Sequence, residues 1–197
     1  MLNSDHGHNK TTINRRSLLK GLGTAACAVA AVPTVANAKS IVMPDDVASY
    51  ELSFRNQHTN ESFSGIYRVG DRYLPSAFKE INYIMRDFRE NEVFPLDPRV
   101  LDILFMMKHK IGTDTPFEIL SGYRSPKTNA MLSRRGCGGV ARNSLHMTGQ
   151  AIDLRLPGWK TSYVKKVARG LRSGGVGYYP KSNFIHIDTG RVRSWSS

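Results

Sequence analysis

The chain has 197 residues, with 28 Lys and Arg against 16 Asp and Glu, a formal charge of +12 and two cysteines. That length holds one domain with a sizeable core, and the basic balance points to an anionic partner: cell wall, an acidic polymer or a membrane surface. No nucleic-acid motif or repeat is present, so nucleic acid is not an expected partner. The N-terminus reads as an export signal. Asn14-Arg15-Arg16-Ser17-Leu18-Leu19-Lys20 is a twin-arginine pattern. An uncharged apolar run from Gly21 to Val35 follows, and Ala36-Asn37-Ala38 offers the small residues a signal peptidase reads. The run is about fifteen residues, short of the roughly twenty a membrane span needs. The expectation is a twin-arginine signal peptide over residues 1–38 rather than an uncleaved anchor or a lipoprotein at Cys27. The mature chain would start at Lys39 in the periplasm without a stable membrane anchor. The leader carries Lys10, Arg15, Arg16 and Lys20 against Asp5, so residues 39–197 keep +9 of the +12. They also keep only Cys137, which excludes an intramolecular disulfide.

Residues 48–54 and 62–69 alternate loosely about Asn56-Gln57-His58-Thr59-Asn60, which predicts a β-hairpin. Ser76 is placed to cap a helix with Phe78, Ile81, Ile84, Met85 and Phe88 on one face. Asp97-Pro98 opens a second helix that buries Val100, Leu101, Leu104, Phe105 and Met107 and closes at Gly112. His109, in its last turn, reads as a complement to the helix dipole rather than a ligand. Phe117 to Leu120 reads as a strand, and Ser125-Pro126 opens a short helix to about Arg134. The stretch from Ser133 to Ser144 is a glycine-rich loop carrying Arg134, Arg135 and Arg142, either a solvated loop or an anion-facing wall beside the site. Cys137 within it has no nearby histidine at recognisable spacing and reads as a bystander thiol. Gln150 to Leu154 reads as a strand, Thr161 caps a helix carrying Val164, Val167 and Leu171, and Gly174–Tyr179 and Phe184–Asp188 close as strands. The prediction is one α+β domain over residues 39–197, with a small antiparallel sheet carrying the site and helices packed against it.

Chemistry concentrates in two segments, Ser144-Leu145-His146-Met147-Thr148-Gly149-Gln150-Ala151-Ile152-Asp153 and Phe184-Ile185-His186-Ile187-Asp188. Two imidazoles and a carboxylate from separate segments are the usual protein share of a catalytic zinc site, with a fourth position left for water. Strand alternation puts Ala151 and Asp153 on one face and Ile152 and Leu154 on the other. It likewise sets Phe184, His186 and Asp188 against Ile185 and Ile187. Gly149 and Ala151 are small, which would leave room for an ion and substrate. The pattern points to a metal-dependent hydrolase; a pair of structural, hydrogen-bonding histidines is the competing reading.

Ser144-x-His146-x-x-Gly149-x-Ala151-x-Asp153 with the later His186 resembles the zinc D-Ala-D-Ala peptidase family of the lysostaphin and hedgehog fold group. Ser121-Gly122-Tyr123-Arg124-Ser125-Pro126, Gly174-Gly175-Val176-Gly177-Tyr178-Tyr179-Pro180 and the terminal Phe184 to Trp195 resemble more closely its MepK (YcbK-like) branch of murein endopeptidases. The resemblance runs over roughly residues 40–197 and includes the leader. It implies one Zn²⁺ per chain held by His146, Asp153 and His186, and Arg124 stabilising the oxyanion. It also places Tyr123 at the substrate, and Ser144 either there or bonding the local turn. Many relatives have a glutamate base three residues before the last histidine, where this chain has Asn183, and others a histidine two before, where it has Phe184. Asp188 is the remaining nearby acid, either the general base or a carboxylate that orients His186. The implied reaction is cleavage of peptidoglycan crosslinks between stem peptides, at bonds ending at meso-diaminopimelate. The alternatives are a D,D- or L,D-carboxypeptidase, or a non-catalytic wall-binding module with a structural metal.

Overall fold

The computed structural model describes residues 41–45, 48–134 and 140–197. The expected signal peptide, the Lys39 start, Arg135 and Cys137 lie outside the described residues. β1 (Ser49–Asn56) and β2 (Ser62–Val69) form the expected hairpin. Strict alternation turns Tyr50, Leu52, Phe54 and Asn56 inward, and Phe54 stacks on Phe63 at 5.4 Å. Asn56 secures the turn: its Oδ1 accepts from His58 N and its Nδ2 donates to Ile84 O. A short β3 (Arg72–Tyr73) then pairs with β2.

The first helix, α1 (Pro75–Ile84), starts one residue before the expected cap. Leu74 holds the cap position without a side-chain bond, Pro75 supplies a preset φ, and Ser76 lies inside the first turn. The helix stops at Ile84, so Phe88 is not on its face and instead stacks on His58 at 4.4 Å. In α2 (Pro98–Ile111) the expected signals hold: Asp97 accepts from Arg99 N, and Gly112 ends the helix in the left-handed region at φ 70°. After β4 (Phe117–Ser121) and α3 (Pro126–Arg134) come β5 (Ala151–Arg155), α4 (Thr161–Leu171), β6 (Gly175–Tyr179), β7 (Phe184–Asp188) and β8 (Arg193–Ser196). Thr161 is the first helical residue of α4, not its cap; Lys160 occupies that position.

The α+β class holds, but the sheet is neither small nor purely antiparallel. Its eight strands run in the order β3-β2-β1-β4-β5-β7-β6-β8, with β1/β4 and β6/β8 parallel and the other pairs antiparallel. Chain connectivity explains both parallel pairs. Two strands and two helices separate β1 from β4, enough chain to cross back in the same direction. β7 is the return strand between β6 and β8. One sheet face carries Ile119, Ile152, Leu154, Val176, Ile185 and Ile187 into a core shared with α1, α2 and α4. The opposite face is left for the site.

Within the helix layer, Asp102 of α2 is buried and accepts from Tyr67 Oη at 2.9 Å, Tyr73 Oη at 2.6 Å and Arg68 Nη1 at 3.1 Å. The cluster ties the β2–β3 edge to the core. Asp102→Ala strands a buried phenol and a guanidinium, and should cost about 3–5 kcal/mol in a urea unfolding curve. A loss below about 1 kcal/mol would show that the cluster does not hold this edge.

Candidate metal centre

The register of β5 against β7 builds the centre. Asp153 stands directly opposite His186, while the flanking pairs Ile152–Ile187 and Leu154–Ile185 turn into the core. The third residue arrives on a 3-10 helical turn (Leu145–Thr148) that local pattern did not predict. Ser144 caps that turn, its Oγ accepting from His146 N, and Gly149 ends it in the left-handed region at φ 67°. A Cβ on Gly149 would stand 2.2 Å from Pro95 O, and Asp97 N donates to Gly149 O. Gly149 is therefore small for its turn and for a close backbone approach. Ala151 is fully buried opposite Asp188, and neither residue borders the cleft. The expectation that they make room for an ion is corrected accordingly.

His146 Nε2, His186 Nδ1 and Asp153 Oδ1 form a triangle with sides of 3.1, 2.9 and 3.2 Å. Tetrahedral zinc with ligand bonds of about 2.0–2.1 Å sets neighbouring donors about 3.3–3.4 Å apart, so the set is within a few tenths of an ångström of fitting that ion. Both rings are oriented for this. His146 Nδ1 lies 2.7 Å from Gly122 O, a pure acceptor, so Nδ1 carries the proton and Nε2 keeps its lone pair. His186 Nε2 lies 3.0 Å from Asp188 Oδ2, which leaves Nδ1 toward the centre. Burial lowers the His146 pKa and favours the neutral ligand form. Burial works the same way on His186, but its bonds to Asp153 and Asp188 outweigh it and push that pKa up to about 9. Two carboxylates that attract a proton here equally favour a metal cation. Burial alone would raise the Asp153 pKa; the two histidines hold it well below the usual carboxylate range.

Arg124 is buried beside the triangle. Its Nη2 donates to Asp153 Oδ2 and to Ser121 Oγ, and its Nη1 to Asn129 Oδ1, each at 3.3 Å. Its Nε has no partner. Three bonds at 3.3 Å are long for a guanidinium, so its charge is only partly satisfied by its neighbours. Ser144 and Arg124 both line a cleft of roughly 540 Å³ that opens over the triangle. Tyr123 is placed elsewhere: its ring stacks on Phe94 at 4.7 Å and its Oη donates to Glu92 at 2.7 Å. Val140, Ala141 and Asn143 from the glycine-rich loop join the cleft wall. Asn183, at the position of the missing glutamate, turns its side chain to Thr161 Oγ1.

Asp188 is fully buried. Its Oδ1 accepts from Gly175 N at 3.0 Å, Gly190 N at 2.9 Å and Arg193 Nη1 at 2.9 Å, and its Oδ2 from Arg193 Nη2 at 2.7 Å besides His186. Burial opposes ionisation, yet the bonds from His186 and Arg193 hold its pKa well below the carboxylate range. Asp188→Asn should turn an amide N–H₂ toward His186 or Arg193 and weaken zinc binding by about 10–100-fold in a competitive chelator titration. A variant with wild-type zinc affinity and full turnover would remove Asp188 from the centre altogether. Sequence reading missed Tyr179, Lys181, Arg193 and Trp195 in the cleft wall. All four fall in or beside segments already marked by resemblance, but it takes the β6–β7 hairpin to bring Tyr179 and Lys181 to the site and the pairing of β8 with β6 to bring Arg193 and Trp195.

The chain matches the family model described as Peptidoglycan L,D-endopeptidase MepK over residues 46–195. It is 40% identical over 187 residues to the Peptidoglycan L,D-endopeptidase MepK of Escherichia coli, covering 95% of this chain and 100% of that one. It is 46% identical over 145 residues to the "Probable peptidoglycan L,D-endopeptidase MepK" of Haemophilus influenzae, covering 73% of this chain and 77% of the relative. The crystal structure of Serratia marcescens L-Ala D-Glu endopeptidase ChiX matches 39% of this chain and 61% of its own, at 20% identity and a TM-score of 0.31, too slight a likeness to carry an argument.

Proposed function

We propose that this chain, which belongs to the peptidoglycan L,D-endopeptidase MepK family, hydrolyses the peptide crosslinks of peptidoglycan at meso-diaminopimelate with the help of one Zn²⁺. Membership makes it a peptidase; the substrate bond, the metal and the residue roles are the proposal. The observation that carries it is the donor triangle of His146, Asp153 and His186, whose two rings are each fixed by a bond on the far nitrogen. Bound there, zinc supplies Lewis acidity and lowers the pKa of water toward neutrality.

The remaining work falls to the chain's own groups. Gly122 O and Asp188 hold the two imidazoles in the tautomers that present a lone pair. Arg124 steadies Asp153 through Oδ2 and, from the cleft wall, offers its guanidinium to the carbonyl oxygen, which gains negative charge as the amide is attacked. Of the two roles open to Asp188, orientation of His186 is the one its geometry supports, since four donors besides the imidazole already occupy its oxygens. Ser144 both caps the His146 turn and borders the substrate. The charge of +9 on residues 39–197 suits the acidic stem peptides. Periplasmic location through the twin-arginine route belongs to the same proposal, and no described helix is long and apolar enough to cross a membrane.

Digestion of purified sacculi tests the reading. Crosslinked dimers should fall to monomers, the activity should vanish with a chelator, and zinc should restore it. Shortened monomers in place of cleaved dimers would make the enzyme a carboxypeptidase; binding without cleavage under any divalent metal would leave a wall-binding module.

A further inference from the structure

Tyr179 borders the cleft, and the roles above make no use of it. On β6 the site face carries Gly175, Gly177 and Tyr179, and Gly177 stands between His186 of β7 and Trp195 of β8. A Cβ at Gly177 would lie 2.7 Å from the Trp195 indole, so glycine is what lets that ring settle against the strand. Three contacts then hold the indole. Its ring lies 5.2 Å from the His186 ring, the Arg193 guanidinium sits over it at 4.8 Å, and its Nε1 is 3.0 Å from Tyr179 Oη.

The last contact sets the polarity of the phenol. An indole N–H donates and cannot accept, so Tyr179 Oη is the acceptor and its own proton goes to another group. Among the described residues no acceptor for it lies within hydrogen-bond distance. The ring is stacked on Phe184 at 4.5 Å and nearly parallel at 11°, which holds the hydroxyl at the cleft. The Arg124 guanidinium lines the same cleft. A hydroxyl proton that no neighbouring group takes up, at the wall of that cleft, is placed to meet an oxygen supplied by a ligand.

We infer that Tyr179 is a catalytic residue: its phenol, oriented by Trp195, donates to the carbonyl oxygen of the scissile amide alongside Arg124. The inference rests on the murein-hydrolase reading for the identity of the amide. A donor aimed where negative charge develops contributes more in the transition state than in the ground state, so its loss is read mainly in kcat.

Tyr179→Phe keeps the ring and its stack on Phe184 and deletes only the donor. With the zinc-loaded enzyme and a purified crosslinked muropeptide dimer, kcat should fall about 30- to 300-fold while KM moves less than about threefold and zinc content stays at the wild-type level. Trp195→Phe should lower kcat by a smaller factor, about 5- to 20-fold, and should add nothing in the Tyr179→Phe background. Additive losses would mean that Trp195 serves the structure and does not act through the phenol. Calorimetric titration of the same dimer into zinc-free protein gives a readout without turnover, in which Tyr179→Phe should bind about two- to threefold more weakly. Unchanged kcat in an enzyme that cuts the dimer overturns the inference. Should the wild type bind the dimer without cutting it, the hydrolase reading fails and the affinity difference alone decides Tyr179. Should it neither bind nor cut, both fall.

Discussion

His146→Ala should lose essentially all crosslink cleavage, with kcat down by about 10³- to 10⁴-fold and zinc content below about a tenth of the wild-type level. The reason is geometric. His146 Nε2 is one corner of a triangle whose other corners are 3.1 and 3.2 Å away, and no other His, Cys, Asp or Glu among the described residues joins that cluster to replace it. Stabilising charge on the attacked amide through a bound cation contributes several kcal/mol, and each 1.4 kcal/mol or so is tenfold in rate. The fold should survive. His146 sits on a short turn outside the main core, and its Nδ1 bond to Gly122 O is worth about 1–3 kcal/mol if its partner is left unpaired. Zinc determination and a urea midpoint measured beside the digest separate loss of metal from loss of fold. A His146→Ala protein that still cleaves dimers would remove the centre from the mechanism.

Arg124→Ala should lower kcat by about 10²- to 10³-fold, the usual effect of deleting a donor aimed at a developing oxyanion. Zinc content should stay within about tenfold of wild type, because Arg124 bonds Asp153 through Oδ2 and leaves Oδ1 to the triangle. Arg124→Lys should not rescue the rate: a single ammonium cannot reach Asn129, Ser121 and Asp153 while also presenting a donor to the cleft. The decisive comparison is rate per bound zinc. If activity in Arg124→Ala falls only in proportion to lost metal, Arg124 serves to hold Asp153 and does not stabilise the oxyanion.

The two residue roles that sequence reading left open illustrate how far local pattern reaches. Asp188 sits two residues after His186, and alternation alone puts the two on one face, which suits a base and an orienting carboxylate equally. Only the neighbours separate them: Gly175 N comes from β6, Gly190 N from the turn that follows Asp188, and Arg193 from an unpredicted strand. Tyr123 shows the opposite error. It adjoins Arg124 in the chain, yet the tight contact of Gly122 with Met85 and the bond to Glu92 carry its ring away from the cleft. The small antiparallel sheet became a mixed one of eight strands because strand direction depends on where the chain returns, which period-two alternation does not encode.

From the order of residues alone came the class of fold, the helix bounded by Asp97 and Gly112, and the three residues proposed as ligands. Side-chain period and residue chemistry are local properties, and those are written directly in the chain. The distances among His146, Asp153 and His186, the proton positions on their rings, and the joining of Trp195 to Tyr179 were decided only by the folded structure. Each depends on segments tens of residues apart meeting across β-ladders and a short turn, and on which lone pairs those meetings leave unclaimed.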